Sequence, residues 1–218
     1  VGGYSSRPGA SEVSIEEEWQ RVRMALQVIE SMEQGVVVSV DTFRAEVVRR
    51  AVAEFGPIIV NDISAGELDK DMLSVVAEHK LPYIAMHMRG TPSSMQQMTS
   101  YEGGVVRGVV EYFRQRVTDL HEAGIEQIIL DPGFGFAKSV EQNYELLSGL
   151  SRLTTLGQPL VVGVSRKSMI YKPLGVDSDD VLSATQAVHF EALRQGATLL
   201  RVHDVAEAVQ TMKLYEIY

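Results

Sequence analysis

Apolar residues gather along the chain in short, nearly unbroken runs. Each run is followed by a longer stretch in which they recur every three or four positions. The runs are Val36–Val40, Ile58–Ile63, Tyr83–Met86, Gln127–Leu130, Leu160–Val164 and Thr198–Val202. They are rich in Val, Ile and Leu and scarcely alternate with polar residues, as strands covered on both faces of a parallel sheet do. Between them the period is helical. Ile15, Trp19, Val22, Leu26 and Ile29 form one stripe, opened by Ser14 with Glu17 as a capping box and followed by Gly35. The same spacing predicts helices over Ala45–Phe55, Asp69–His79, Val105–Ala123, Val140–Leu150, Val181–Gln195 and Ala206–Tyr215. Gly56, Gly124 and Gly196 stand where a C-terminal glycine would end three of them.

Strands and helices in strict alternation predict an α/β fold, and the polar residues choose between its closures. An open doubly wound sheet gathers its chemistry at one switch point, whereas a TIM (β/α)8 barrel spreads it over the strand ends of one rim. Here nearly every run ends in a polar or ionisable residue: Asp41, Asn61 with Asp62, His87, Asp131, Ser165 to Lys167, and Arg201 with His203. The expectation is one barrel domain over residues 1–218. A barrel needs eight strands, and only Val1–Tyr4 could be the tail of a seventh, so the domain is expected to lack its beginning.

Composition narrows the function classes. With no cysteine there is no disulfide framework, thiolate metal site or thiol nucleophile. A net charge of −9 argues against a general nucleic-acid binder, which needs a surplus of Lys and Arg. No apolar run approaches the ~20 residues of a membrane span, and no signal-peptide pattern opens the chain. The expected setting is cytoplasmic.

The loops at the strand ends carry the candidate chemistry. Ser5-Ser6-Arg7-Pro8-Gly9 is a tight loop that either holds hydroxyls and a guanidinium toward a ligand or is an ordinary turn. Asp41 and Asn61 can project into a barrel mouth, whereas Thr42, Asp62 and Asp204 read as helix N-caps. In Asp131-Pro132-Gly133-Phe134-Gly135-Phe136-Ala137-Lys138 a carboxylate ends a strand and two glycines allow close backbone approach. Its two rings either stack on a flat ligand or pack beneath the loop. Gly163-Val164-Ser165-Arg166-Lys167-Ser168 and Arg201-Val202-His203 bring cations to the last strand ends, where barrels often bind phosphate. Arg201 is expected to be partly enclosed. Met86 should face the pocket and His87 the opposite side, as a structural residue. No HxH or HExxH spacing occurs, so no metal ligand set is expected within the chain.

Seven segments, in order, resemble the dihydropteroate synthase family across essentially the whole chain. They are Gly-Gly-Tyr-Ser-Ser-Arg-Pro-Gly-Ala, Val-Asp-Thr, Asn-Asp-Ile, Met-His-Met-Arg-Gly, Asp-Pro-Gly-Phe-Gly-Phe-Ala-Lys, Gly-Val-Ser-Arg-Lys-Ser and Arg-Val-His-Asp-Val. The resemblance implies a TIM barrel that condenses p-aminobenzoate with 6-hydroxymethyl-7,8-dihydropterin diphosphate. The products would be 7,8-dihydropteroate and pyrophosphate, and sulfonamides would compete for the p-aminobenzoate site. It implies a pterin pocket of Asp41, Asn61, Met86, Asp131, Gly163 and Lys167, with Asp41, Asp131 and Lys167 as its catalytic members. Arg7, Arg201 and His203 would hold the diphosphate. Ser6, Arg7, Phe136, Lys167 and Ser168 would hold p-aminobenzoate. It further implies a dissociative mechanism, Mg2+ brought with the diphosphate, and a homodimer formed through the helical side.

By the resemblance, the family's first strand, the Asn-Val-Thr-Pro-Asp-Ser-Phe-Ser motif after it with its Asn near Mg2+, and most of the second strand have no counterpart here, so Val1 would fall late in the second strand. Residues 1–218 alone are therefore expected to be poorly stable and nearly inactive, since an incomplete barrel leaves an unpaired edge. Two rivals remain: a pterin-binding methyltransferase barrel, and a catalytically silent pterin-binding domain.

Overall fold

The computed structural model describes residues 1–5, 12–32, 35–91 and 94–218, with the backbone alone of Gln96. In chain order the elements are α1 (Ile15–Glu30), β1 (Ser39–Asp41), α2 (Ala45–Phe55), β2 (Ile59–Asp62), α3 (Met72–Glu78), β3 (Tyr83–Met86), α4 (Val105–Glu122) and β4 (Ile128–Asp131). There follow α5 (Val140–Ser148), α6 (Ser151–Thr154), β5 (Val161–Val162), α7 (Ser168–Leu174), α8 (Leu182–Arg194), β6 (Leu199–Leu200) and α9 (Val205–Ile217). All six expected strands are present, and α6 and α7 are additions. The residues form two compact units, Val1–His87 with Gln115–Ile129, and Met88–Arg114 with Leu130–Tyr218.

In the first unit the strands are parallel, in the order β1-β2-β3-β4. Register pairs Val40 with Val60, Asp41 with Asn61, and Asn61 with Ile84. The ladder continues where Tyr83 N–H donates to Gln127 at 2.8 Å. Val22, Leu26, Val40, Val47, Val48, Ala51 and Val60 are buried where α1 and α2 cover this sheet. Each large apolar side chain so enclosed contributes about 1.5–3 kcal/mol. Ser14 caps α1 by accepting from Glu17 N–H at 3.1 Å, but the Glu17 carboxylate pairs with Arg21, so the expected capping box is half made. Gly56 and Gly124 follow α2 and α4 at φ 82° and 88°, as expected of glycines that stop helices. Gly35 lies farther out, because α1 already closes at Ser31.

Three expectations are corrected here. The run Val36–Val40 becomes a strand only from Ser39. Register with β2 begins at that residue, although Val38 O already accepts from Ile59 N–H at 2.9 Å, and Val36 to Val38 line an apolar cavity of about 540 Å3 with Leu26, Phe55 and Pro82. Asp62 is no helix cap. Its carboxylate accepts from Ser64 N–H and Oγ, Gly66 N–H and the Tyr83 hydroxyl, binding the turn after β2. Burial nevertheless raises its pKa, outweighing those donors. Thr42 donates to Glu18 at 2.6 Å and accepts from Arg44 N–H at 3.1 Å, while the first-turn N–H of α2 at Ala45 is met by Asp69. Val1–Tyr4 supplies one parallel bridge, Gly2 to Asp41, beside β1.

In the second unit β5 pairs with β6, Val161 against Leu199 and Val162 against Leu200, and Leu130 bridges to Leu160. Leu146, Leu150, Leu153, Leu160, Val162 and Met169 make its core. Gly196, at φ 99°, ends α8, which packs on α9.

The interaction most exposed to test is the fully buried Glu18, which accepts from Thr42 and, at 2.8 Å, from Arg44. Glu18→Leu should lower unfolding free energy by about 3 kcal/mol, since Arg44 is left largely enclosed without its carboxylate. Thr42→Val should cost about 1 kcal/mol. Chemical denaturation of both variants checks the order.

Candidate functional site

Each unit brings part of the expected set together. In the first, register and the two-residue alternation of strands place Asp41, Asn61 and Met86 on one face of the sheet, at the ends of β1, β2 and β3. His87 falls on the opposite face, with Asp62 and Ala85. Asn61 and Met86 are buried, and Asp41 is exposed. Gly2 runs close beside Asp41, and a Cβ there would come within 3.2 Å of the Asp41 Cβ. An acid, an amide and a thioether side by side present acceptors, donors and a soft apolar surface, which suits a flat heterocycle with polar edges.

In the second unit the chemistry converges on the end of β4. Asp131 is buried and both its oxygens are engaged: Oδ1 accepts from Gly133 N–H at 2.8 Å, and Oδ2 from Arg201 Nη2 at 2.6 Å. Arg201 reaches it across Gly163. A Cβ at Gly163 would lie 2.8 Å from the guanidinium, so a larger residue there would push Arg201 off its present path. The Arg201 side chain is 41% exposed, less enclosed than the sequence suggested, because β6 ends at Leu200. His203 is exposed, with Nδ1 3.0 Å from Ser165 Oγ.

Lys167 precedes α7. Arg166 before it is held at φ 55°, a left-handed conformation that costs a non-glycine residue of order 1 kcal/mol. This bend sends the two cations apart. Lys167 Nζ donates to Phe134 O and lies 5.1 Å from the Phe136 ring centroid. Arg166 instead pairs with Asp204 at 2.6 Å and Asp179 at 2.8 Å. That corrects two expectations, because Arg166 is committed to carboxylates rather than to an anion site, and Asp204 makes no side-chain cap on α9. Ser168 opens α7, half-buried. Ser6 and Arg7 lie outside the described residues.

Of the two rings in the Asp131–Lys138 loop, Phe134 is fully buried beneath it, and Phe136 remains half-buried against Lys167. Lys138 went unassigned in the sequence, although it closes the most distinctive motif. It is 4% exposed and donates to Gly133 O at 2.9 Å and Phe136 O at 3.0 Å. Burial pulls its pKa down to about 7 against the upward pull of Asp131. Lys167 falls to about 8 for the same reason, with Asp131 raising it and Arg201 lowering it. The described residues contain no group of three or more His, Cys, Asp or Glu that could hold a metal ion. Nor does any described helix have the length and apolarity to cross a membrane.

Comparison with known proteins follows this geometry. The family model of pterin binding enzymes matches residues 1–203. The dihydropteroate synthase of Escherichia coli is 44% identical over 220 residues, covering 99% of this chain and 76% of that protein. That of Synechocystis is 43% identical over 217 residues, covering 98% and 74%. Among solved structures, the Yersinia pestis dihydropteroate synthase in complex with a sulfonamide drug superposes with a TM-score of 0.91 at 36% identity, over 98% of this chain and 77% of that one. The Xanthomonas albilineans enzyme with 4-aminobenzoic acid gives 0.90 at 36%, over 99% and 77%. With 7,8-dihydropteroate the same enzyme gives 0.85 at 35%, over 94% and 75%.

Because Asp131 raises the Lys167 pKa, Asp131→Asn should lower it further below about 8. NMR titration of isotopically labelled lysine amines reads this directly, and an unchanged or raised value would contradict the arrangement.

Proposed function

As a member of the dihydropteroate synthase family of pterin binding enzymes, to which this chain belongs, the protein is a transferase of folate synthesis with the α/β TIM-barrel fold class, and we propose how its strand-end residues divide that reaction. The observation that carries the reading is one buried carboxylate, Asp131, set among Arg201, Lys167 and a half-buried phenylalanine.

The substrates are p-aminobenzoate and 6-hydroxymethyl-7,8-dihydropterin diphosphate, and the products 7,8-dihydropteroate and pyrophosphate. Asp131 suits the guanidine-like edge of the pterin, giving up Arg201 as it accepts the ring donors. Asp41 and Asn61 would meet the remaining polar edge, Met86 the ring face, and Gly163 would leave the path clear for Arg201. Lys167 would donate at the pterin carbonyl side and border p-aminobenzoate, whose ring would pack on Phe136 beside Ser6, Arg7 and Ser168. Arg201, once released, and His203 would take the diphosphate, with Arg7.

No nucleophilic side chain is needed along this route. The C–O bond to diphosphate breaks first, the carboxylates stabilise the cationic pterin methylene, and the arylamine nitrogen then bonds to it and loses a proton. Mg2+ would accompany the diphosphate and offset its charge. The described residues offer no ligand set of their own for the ion, so no step is assigned to it. An acidic protein accommodates such a substrate because the cations are local. We further propose a cytoplasmic homodimer. Val205, Val209 and Met212 are exposed at helical spacing along α9, an apolar stripe suited to a second copy.

Pyrophosphate release should depend on p-aminobenzoate and be inhibited competitively by a sulfonamide. Arg201→Ala should lower kcat/KM for the diphosphate substrate about 100-fold. Pterin binding without release would favour a silent domain, and methyl transfer from methyltetrahydrofolate a methyltransferase.

A further inference from the structure

The loop that follows Asp131 is turned inside out relative to an ordinary surface loop, its carbonyls directed inward onto buried donors. Gly133 O accepts from Lys138 and from Phe136 N–H, Phe134 O from Lys167, Phe136 O from Lys138, and Ala137 O from the Tyr101 hydroxyl at 3.0 Å. Asn143, buried on α5, completes the frame. Its Oδ1 accepts from Gly135 N–H at 2.7 Å, and its Nδ2 donates to Ser139 O at 2.6 Å. Ser139 and Gln142 form a reciprocal capping box that starts α5 immediately after Lys138, so the lysine backbone is anchored to a helix. Ala137 is held at φ 50°, outside the usual range for a side-chain-bearing residue, between Lys138 and the two carbonyls it grips.

A buried ammonium so placed is not adapted to touch substrate. Two backbone carbonyls, Gly133 O and Phe136 O, take its donors, and Phe136 is the residue whose ring stands against Lys167. We propose that Lys138 is a positioning residue for the p-aminobenzoate end of the reaction: gripping Gly133 O and Phe136 O, it fixes the angle at which the Phe136 ring is presented. Asn143 and Tyr101 brace the same loop from either side. This rests on the assignment of Phe136 to p-aminobenzoate made above.

Lys138→Met, which keeps the length and loses the donors, tests it in the protein as its gene encodes it. KM for p-aminobenzoate should rise about tenfold, and KM for the pterin diphosphate less than threefold. Hydrogen exchange of the Gly133–Ala137 amides should quicken. Lys138→Arg, which restores a donor, should recover most of the loss. Tyr101→Phe, which removes one hydroxyl and endangers the fold less, should shift the p-aminobenzoate KM the same way by about threefold. Unchanged exchange in Lys138→Met would overturn the brace. Faster exchange with an unchanged p-aminobenzoate KM would overturn the positioning role and remove p-aminobenzoate from Phe136. Equal rises in both KM values, tracking a lowered melting temperature, would reduce Lys138 to a structural residue.

Discussion

At the end of β4 a single buried carboxylate has cations on several sides. Asp131 holds the Arg201 guanidinium directly, and its field reaches both Lys138 and Lys167. Its charge pulls both ammonium groups toward the protonated form, although burial still outweighs it at each. Its other oxygen takes the Gly133 N–H and thereby starts the loop that those lysines fill. Backbone path, side-chain charge and the room left by Gly163 are thus consequences of the same group. On the proposed division of the site, a ligand that competes with Arg201 for Asp131 would couple occupation of one subsite to a freed cation at the next.

The strand end also explains why two nearly adjacent cations have opposite fates. Arg166 and Lys167 are neighbours in sequence, yet the left-handed turn at Arg166 directs one to Asp204 and Asp179 and the other to the Phe134 carbonyl. A guanidinium holds two carboxylates in fixed geometry, whereas an ammonium is compact enough to enter the loop interior. Exchanging the two residue types would satisfy neither place.

Periodicity made the alternation of six strands and their helices legible, and with it the strand ends that carry Asp41, Asn61 and Met86 in the first unit and Asp131 in the second. Those signals are local, because burial on both faces or on one stripe leaves its imprint within a few residues. What escaped was set by partners distant along the chain. Val36 to Val38 have strand composition, but register with β2 starts at Ser39, and only the Val38 carbonyl takes a bond from that strand, from Ile59 N–H. Thr42 and Asp62 read as helix caps, yet Thr42 also donates to Glu18, 24 residues back, and Asp62 takes the Tyr83 hydroxyl beside its own turn. Arg166 could not be told from Lys167 without Asp204, 38 positions on. Lys138 was visible in the motif, but a lysine in a glycine-rich loop reads as solvated until the inward carbonyls are seen.

The inward turn of those carbonyls has a consequence for molecular discrimination. With Gly133, Phe134, Phe136 and Ala137 all spending their oxygens on the protein interior, the outer side of the loop is poor in hydrogen-bond acceptors. On the proposed reading, a ring lying there finds few backbone acceptors on the loop. Inhibitors decorated with extra donors on that side would give up their hydration without recompense, whereas flat isosteres of unlike polarity would pass as equivalents.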